Sequence, residues 1–308
     1  MNRDTNSIEA ESEKQEWDDV AEFFRQVHEC NTLQTNVVLY NLARVRDATK
    51  ICEVGAGVGI APRVLANSIM TTGFSLFTSD ISKNMVKGLK KKFDSEHMSI
   101  EGKIKATVLE EFGDEIDVDS IICNEADTRE VFIHEADSEK LPYPSNCFER
   151  YISNLCLFAV GDYKQALKES YRVLQKDGIA AFAVIGRREN DSYWKLVFDA
   201  FKAIGVEDAD FLKDPHHLSD REALKKDFEE VGYKNIKMTY VAVNLCFTPN
   251  EAYYFSSETP FVLHLHEKLS AEDKIKYEDE FMRLFEENFG SEVFDFPQVE
   301  VLMALGQK

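Results

Sequence analysis

The stretch ICEVGAGVGIAPRVLA, Ile51 to Ala66, decides how this chain is read. A short apolar run with one acid (Ile51, Cys52, Glu53, Val54) meets glycines at Gly55, Gly57 and Gly59, and a helical pattern begins near Ala61. That order predicts strand, tight turn, helix. Glycine takes positive φ and carries no Cβ, so a ligand can lie directly against such a turn. The amides that open the helix add partial positive charge at the same place. Spacing and acids narrow the ligand further. A dinucleotide loop runs G-x-G-x-x-G, whereas this one is G-x-G-x-G with Glu53 just ahead of it. A carboxylate so close repels a pyrophosphate and suits a ligand with a cationic end. A glycine turn without any ligand is the bland alternative.

Further along, GFSLFTSD reads as a strand ending in Asp80, and IHEADSEKLPYPSNCFERYISN as a strand end, a loop and the start of another strand. A carboxylate at the end of the second strand of such a unit is placed to accept from ribose hydroxyls. Capping the next helix is the competing role, one that Ser82 could also fill. The loop and these segments resemble the class I S-adenosylmethionine-dependent methyltransferases, whose first motif is E/D-x-G-x-G-x-G. The family's G-D-A-x-x-L-P-F-x-x-x-x-F-D segment is matched at Ala136, Asp137, Leu141, Pro142, Tyr143 and Phe148. It departs at Glu135 and Glu149, where glycine and aspartate are common, and the family's R-V-L-x-P-G-G segment, which the stretch before the fifth strand resembles, has Lys176 and Asp177 in its P-G positions.

The resemblance runs from about Ile51 to Arg187. It implies an α/β fold: a Rossmann-like, doubly wound, mostly parallel seven-stranded sheet with an antiparallel last strand, plus N-terminal helices and a helical cap insertion. It implies S-adenosylmethionine as cofactor, held by Glu53, Gly55, Ala56, Gly57, Gly59, Asp80, Ile81, Met85, Ala136, Asp137, Ser138, Asn154 and Leu155. Ile81 and Met85 would sandwich the adenine, and Asp137 would accept from its exocyclic amine.

Composition sets the outer limits. The 308 residues, 44% hydrophobic and 11% aromatic, are enough for one large core. Acids outnumber bases 56 to 36, and a net charge of −20 disfavours nucleic acid as substrate. The dense basic cluster Lys87, Lys90, Lys91 and Lys92 reads as a solvated helix face. No apolar run is long enough to cross a membrane and the first residues are polar, so membrane insertion is not expected and a cytoplasmic address is. Six scattered cysteines without a C-x-x-C pair read as free thiols rather than disulfides or zinc ligands. A small molecule is the expected substrate, while a protein partner or homo-oligomer stays undetermined.

Residues 1–14 lack periodic apolar positions and read as a mobile tail. The rest, 15–308, reads as a single domain: an N-terminal helical lid (15–49), a Rossmann-like core (50–248), a helical cap insertion (249–296) and the last strand (297–308). Trp17, Val20, Ala21, Phe24 and Val27 predict one helix and Val37 to Val45 a second. Two phrases, CNEAD and IHEAD, compete as the third strand end; the second is preferred, with an extra strand at 120–124 before it. A fifth-strand helix is expected to stop at Gly178.

Methyl transfer from a sulfonium needs alignment more than side-chain catalysis. If the acceptor must lose a proton, His28, His266 and Tyr143 are the candidate bases. His266 lies in an apolar helical arc and is equally a packed core histidine. Arg187 and Arg188 would bind an acidic acceptor or be plain surface charges. Two alternatives remain: a catalytically silent methyltransferase-like subunit serving as a binding module, and a nicotinamide-dependent oxidoreductase, which the loop spacing and Glu53 disfavour.

Overall fold

The computed structural model describes residues 14–70, 73–94, 104–110, 115–122, 128–207, 214–290 and 296–308. Residues 1–13, and the CNEAD phrase at 123–127, lie outside them. The chain enters as helix α1 (residues 14–23), passes through a π-helical turn (Phe24–His28) and continues as α2 (Glu29–Leu42). The two expected helices are thus one helical run. The residues flanking the π turn keep right-handed helical φ and ψ, and Glu29 N–H donates to Phe24 O, the wider bond of a π turn.

Strand β1 (Lys50–Val54) follows, then helix α3 (Ile60–Val64), strand β2 (Phe74–Asp80), helix α4 (Lys83–Asp94) and a short strand β3 (Lys105–Val108). Where a strand is expected at 120–124, Ser120 and Ile121 instead belong to a turn of helix, α5 (Val118–Ile121), capped where the Asp117 side chain accepts from Ser120 N–H, and residues 123 and 124 lie outside the described residues. Strand β4 (Arg129–Glu135) ends at the IHEAD phrase, and β5 (Phe148–Asn154) follows the proline-containing loop. Helix α6 (Tyr163–Val173) stops short of Gly178. Its successor β6 (Leu174–Ile185) shifts register between Phe148↔Leu174 and Arg150↔Ile179, with Asp177 at φ 66°, so the KDG triplet is a bulge rather than a helix stop.

The remaining elements are α7 (Ser192–Ala203), α8 (Arg221–Val231), β7 (Lys234–Asn244), α9 (Pro249–Glu258), α10 (Pro260–Lys268), α11 (Ala271–Phe289) and β8 (Gln298–Gln307). The sheet has eight strands in the order β3-β4-β2-β1-β5-β6-β8-β7. All neighbours are parallel except β8, which runs antiparallel to both β6 and β7. The strand beyond the expected seven is β3, at the sheet edge, where Lys105 and Ala106 are exposed.

The core follows from composition. β2 is buried at every position and β6 carries Ala180 to Val184 fully buried, as parallel strands covered on both faces must be. Helix α2 packs its Leu39, Tyr40 and Ala43 side against this sheet, near both ends of β5: Arg150 Nε donates to Ala43 O and Asn154 Nδ2 to Thr32 O. None of the described helices is long and apolar enough to cross a membrane. The five described cysteines form no disulfide with one another, and Cys52 and Cys147 are buried.

Candidate functional site

The strand tips meet at one large cavity, and backbone ties set its floor. Ala56 N–H donates to Ser79 O, Ala136 N–H to Asp80 O, and Gly57 N–H to the Asp80 carboxylate at 2.8 Å. Gly55, Gly57 and Gly59 all take positive φ. At Gly59 (φ +94°) a Cβ would stand 2.3 Å from Leu89 Cδ1 and 3.0 Å from Leu89 Cα, so only glycine lets α4 pack this close.

The capping role that competes with ribose binding in the sequence falls to Ser82, which leaves Asp80 at the cavity. Its second oxygen accepts from Ser82 N–H at 3.0 Å, its side chain faces the cavity, and Ser82 Oγ caps α4 by accepting from Met85 N–H. Burial pushes the Asp80 carboxyl up to about 6, against the hydrogen bonds from Ser82 and Gly57. Asp137 also lines the cavity and folds its loop by accepting from Glu139 N–H at 2.8 Å. Ala56, Ile81, Met85, Ala136, Ser138, Asn154 and Leu155 line the same space. Leu155 holds φ at 49°, a strained conformation for a leucine, at the turn leaving β5.

Glu53 stands elsewhere than expected. It is 2% exposed, lies outside the cavity lining, and accepts from Tyr40 Oη–H at 2.7 Å. Burial pushes its carboxyl up to about 7. Register explains the placement: Glu53 pairs with Ile152 on β5, so Glu53 and Asn154, two residues further on, share the face that α2 covers. On that face Asn36 lies one turn from Tyr40, which holds Glu53, and one turn from Thr32, whose carbonyl accepts from Asn154 Nδ2. Among the described residues three oxygens here, Glu53 Oε2, Asn36 Oδ1 and Asn154 Oδ1, are buried without a hydrogen-bond donor.

The helical run closes the top. Trp17, Val20, Phe23 and Phe24 line the cavity; Val20 and Ala21 pack on Val58 and Met85; and Gly57 lies where a Cβ would stand 3.2 Å from the Phe24 ring. Asp18 accepts from Ser82 Oγ–H at 2.5 Å and from Asn84 N–H at 2.8 Å, and Lys14 pairs with Glu135. The far wall, which the sequence does not reveal, is aromatic. Phe158, Trp194, Phe255 and Phe261 line it, from the turn after β5 and from α7, α9 and α10.

Of the three candidate bases, His28 alone lines the cavity. It stacks on Phe255 at 4.1 Å between centroids, and burial pushes its imidazole down to about 3. Tyr143 is a core residue: 1% exposed, with its hydroxyl bonded to His134 Nε2 at 2.7 Å and its ring edge-on to Phe77 and Phe148. His266 packs edge-on against Tyr277 within the helical layer and lies outside the lining. Their apolar settings, legible as helical or strand periodicity, belong to packing. Arg187 is held by Glu300 at 2.8 Å and lies over the Tyr240 ring, and Arg188 lies over Phe198.

Missed from the sequence are the polar positions of α2, namely Glu29, Asn31, Thr32, Thr35 and Asn36, all buried and all facing the cavity. The available signal was a helix whose inward positions turn from apolar at Leu39, Tyr40 and Ala43 to polar one turn earlier.

The comparisons with known proteins fit this geometry. A family model described as a methyltransferase domain matches residues 116–182. The ubiquinone/menaquinone biosynthesis C-methyltransferase of Rickettsia akari is 27% identical over 215 residues, covering 63% of this chain and 74% of that protein. The demethylmenaquinone methyltransferase of Listeria monocytogenes is 36% identical over 77 residues, 25% of this chain and 32% of that one. Among solved structures, a chain of the Haloferax volcanii complex containing the Trm112 methyltransferase activator superposes with TM-score 0.52 at 15% identity, covering 96% of both chains. The [4+2]-cyclase SpnF superposes with TM-score 0.50 at 12% identity, covering 89% of this chain and 80% of that one. At such identities the structures speak for the fold alone. The sheet order and glycine loop are similar to those of the class I methyltransferases, and with these relatives they make the chain an S-adenosylmethionine-dependent methyltransferase.

Proposed function

We propose that the enzyme methylates a small-molecule acceptor by in-line displacement, with the donor across the tips of β1, β2 and β4 and the acceptor beneath α7, α9 and α10. The observation that carries this reading is the pair of donorless oxygens on the lining, Asn36 Oδ1 and Asn154 Oδ1, with Glu53 Oε2 donorless behind them. An ammonium brings three N–H donors and a positive charge, so the amino end of the methyl donor would meet two otherwise costly buried acceptors, with the Glu53 carboxylate behind them. At the other end Asp80 would accept from the ribose, Ile81 and Met85 would flank the adenine, and Asp137 and Ser138 would meet its edge.

When bound, the donor supplies an electrophilic methyl carbon on a sulfonium leaving group. The chain's own work is alignment and dryness. The helical run and the aromatic wall exclude water on two sides, and the hydrogen-bonded tips fix the angle between the subsites. His28 faces the acceptor side as a neutral imidazole, and with its basicity held at about 3 it is a hydrogen-bonding wall rather than a strong base. An acceptor that is already nucleophilic fits best. The names of the Rickettsia and Listeria relatives, which describe quinone-pathway methyltransferases, support a small-molecule acceptor. A silent subunit would have its pocket near Asn154 filled by apolar side chains; an open cavity at that point favours catalysis.

Incubation with a metabolite extract and isotopically labelled methyl donor, followed by mass spectrometry, tests the reading. A labelled small molecule is expected. Label confined to added protein or RNA would replace the acceptor class, and tight binding of a nicotinamide dinucleotide in place of S-adenosylmethionine would overturn the donor assignment.

A further inference from the structure

In the acceptor half of the cavity the wall is mostly rings, and Asn31 Nδ2 and His28 Nδ1 are buried in it without a partner among the described residues. Asn31 is 2% exposed and faces the cavity. Its Oδ1 accepts from Cys246 N–H at 2.9 Å, which orients the amide, and its Nδ2 is left without a partner. Around it the surfaces are rings. His28 is stacked on Phe255, Phe158 is stacked on Phe261 at 5.3 Å between centroids, and Trp194 stands edge-on to Phe261 at 5.9 Å.

We propose that this half of the cavity binds an uncharged, ring-bearing acceptor whose oxygen accepts a hydrogen bond from Asn31 Nδ2. The proposal rests on the methyl-transfer reading and names the acceptor's class within it. Three features support it. A buried amide N–H without an acceptor penalises the site until a ligand oxygen meets it, so an analogue lacking that oxygen is disfavoured. Stacked and edge-on rings leave faces that favour a further flat ring. The third is charge. Burial pushes His28 down, so the ring stays neutral and offers an anion no countercharge. Most acids on the lining stand apart from this wall or are engaged: Asp80 and Asp137 belong to the strand tips, Glu139 accepts from Asp162 N–H at 2.7 Å, and Glu29 pairs with Lys92 through Oε2 at 2.7 Å, which leaves Glu29 Oε1 without a donor among the described residues. Glu29 Oε1 and Glu258, at the end of α9, are the groups that would favour a cationic acceptor instead, so the test includes one.

The full chain, saturated with S-adenosylhomocysteine, is titrated by calorimetry with 2-naphthol, 2-naphthoate, 2-naphthylmethylamine and naphthalene at neutral pH. 2-Naphthol is expected to bind, and the anionic and cationic analogues at least about tenfold more weakly. Asn31→Leu is expected to weaken 2-naphthol by about tenfold while leaving naphthalene and S-adenosylhomocysteine unchanged, which separates a lost hydrogen bond from a disturbed fold. Either charged analogue matching 2-naphthol, no binding of any naphthalene, or equal losses of naphthol and naphthalene in the variant would overturn the proposal. Should S-adenosylhomocysteine itself fail to bind, the donor assignment fails separately, and the same four titrations on the free protein still decide the acceptor class.

Discussion

Along the tips of β1, β2 and β4 the cavity wall is main chain held by main chain and by one carboxylate, with Ala56 on Ser79 O, Ala136 on Asp80 O and Gly57 on the Asp80 side chain. Beneath α7, α9 and α10 it is ring against ring, with Phe158 on Phe261 and His28 on Phe255. The first wall depends on backbone positions that few residues can adopt, so it is specific and intolerant. The second depends on apolar area, which many residue combinations supply, so it can change its ligand without changing the fold. A donor common to many enzymes and an acceptor particular to one are matched to these two kinds of wall.

The contrast can be broken from either side, and the largest effect belongs to the rigid one. Gly59→Ala places a methyl against Leu89 at positive φ; at least a hundredfold loss of S-adenosylmethionine affinity is expected by calorimetry, with about 1–3 kcal/mol of strain in the denaturation midpoint. Near-normal affinity would show that the loop can yield. Asp80→Ala removes charge-assisted bonds of about 1.5–3 kcal/mol each, and donor affinity should fall tenfold or more. Unchanged affinity would leave Asp80 a loop clasp and nothing else.

Acidity comes next. Burial holds Asp80 at about 6 and Glu53 at about 7 in the folded chain, above their usual range. The unfolded chain therefore releases these protons first, and the free protein loses stability as pH rises from the ordinary carboxylate range to about 7. A cationic donor reverses the preference by favouring both ionised forms. Its affinity should climb by about tenfold between pH 5.5 and 7.5, with proton release detectable as a buffer-dependent heat. A flat profile would remove the carboxylates from donor binding.

Phe255→Leu tests the permissive wall: 2-naphthol should bind about fivefold more weakly while donor affinity stays within about twofold. Equal losses in both would mean that the two halves are mechanically one. The smallest effects are expected from Tyr143→Phe and His266→Gln, whose side chains pack away from the cavity. Donor affinity and turnover within about twofold of the parent, measured with the labelled methyl donor, would place both outside the chemistry.

These walls also differ in how far the sequence reveals them. Gly55, Gly57, Gly59 and Asp80 are legible because turns and strand ends impose local rules, and IHEAD because its loop carries a motif. Glu53 is legible as an acid near the site, but its place beneath the lining depends on strand register. The polar stripe of α2 is invisible to periodicity, since Thr32, Thr35 and Asn36 sit inward where apolar residues are expected. The aromatic wall is assembled from segments far apart in the chain, and the phenylalanines read locally as ordinary core. Edge strand β3 is short, with exposed residues at its start, and so carries no burial pattern.

The π-helical turn at Phe24–His28 has a consequence for how this enzyme can vary. Each residue of an α-helix advances the azimuth by about 100°, so the widened turn offsets the facing of everything before it relative to everything after. Shortening the segment by one residue would restore a regular helix and swing Trp17 and Val20 off Met85 while α2 stayed in register with the sheet. A one-codon deletion or insertion there would reset what closes over the chamber without touching a single residue of its floor.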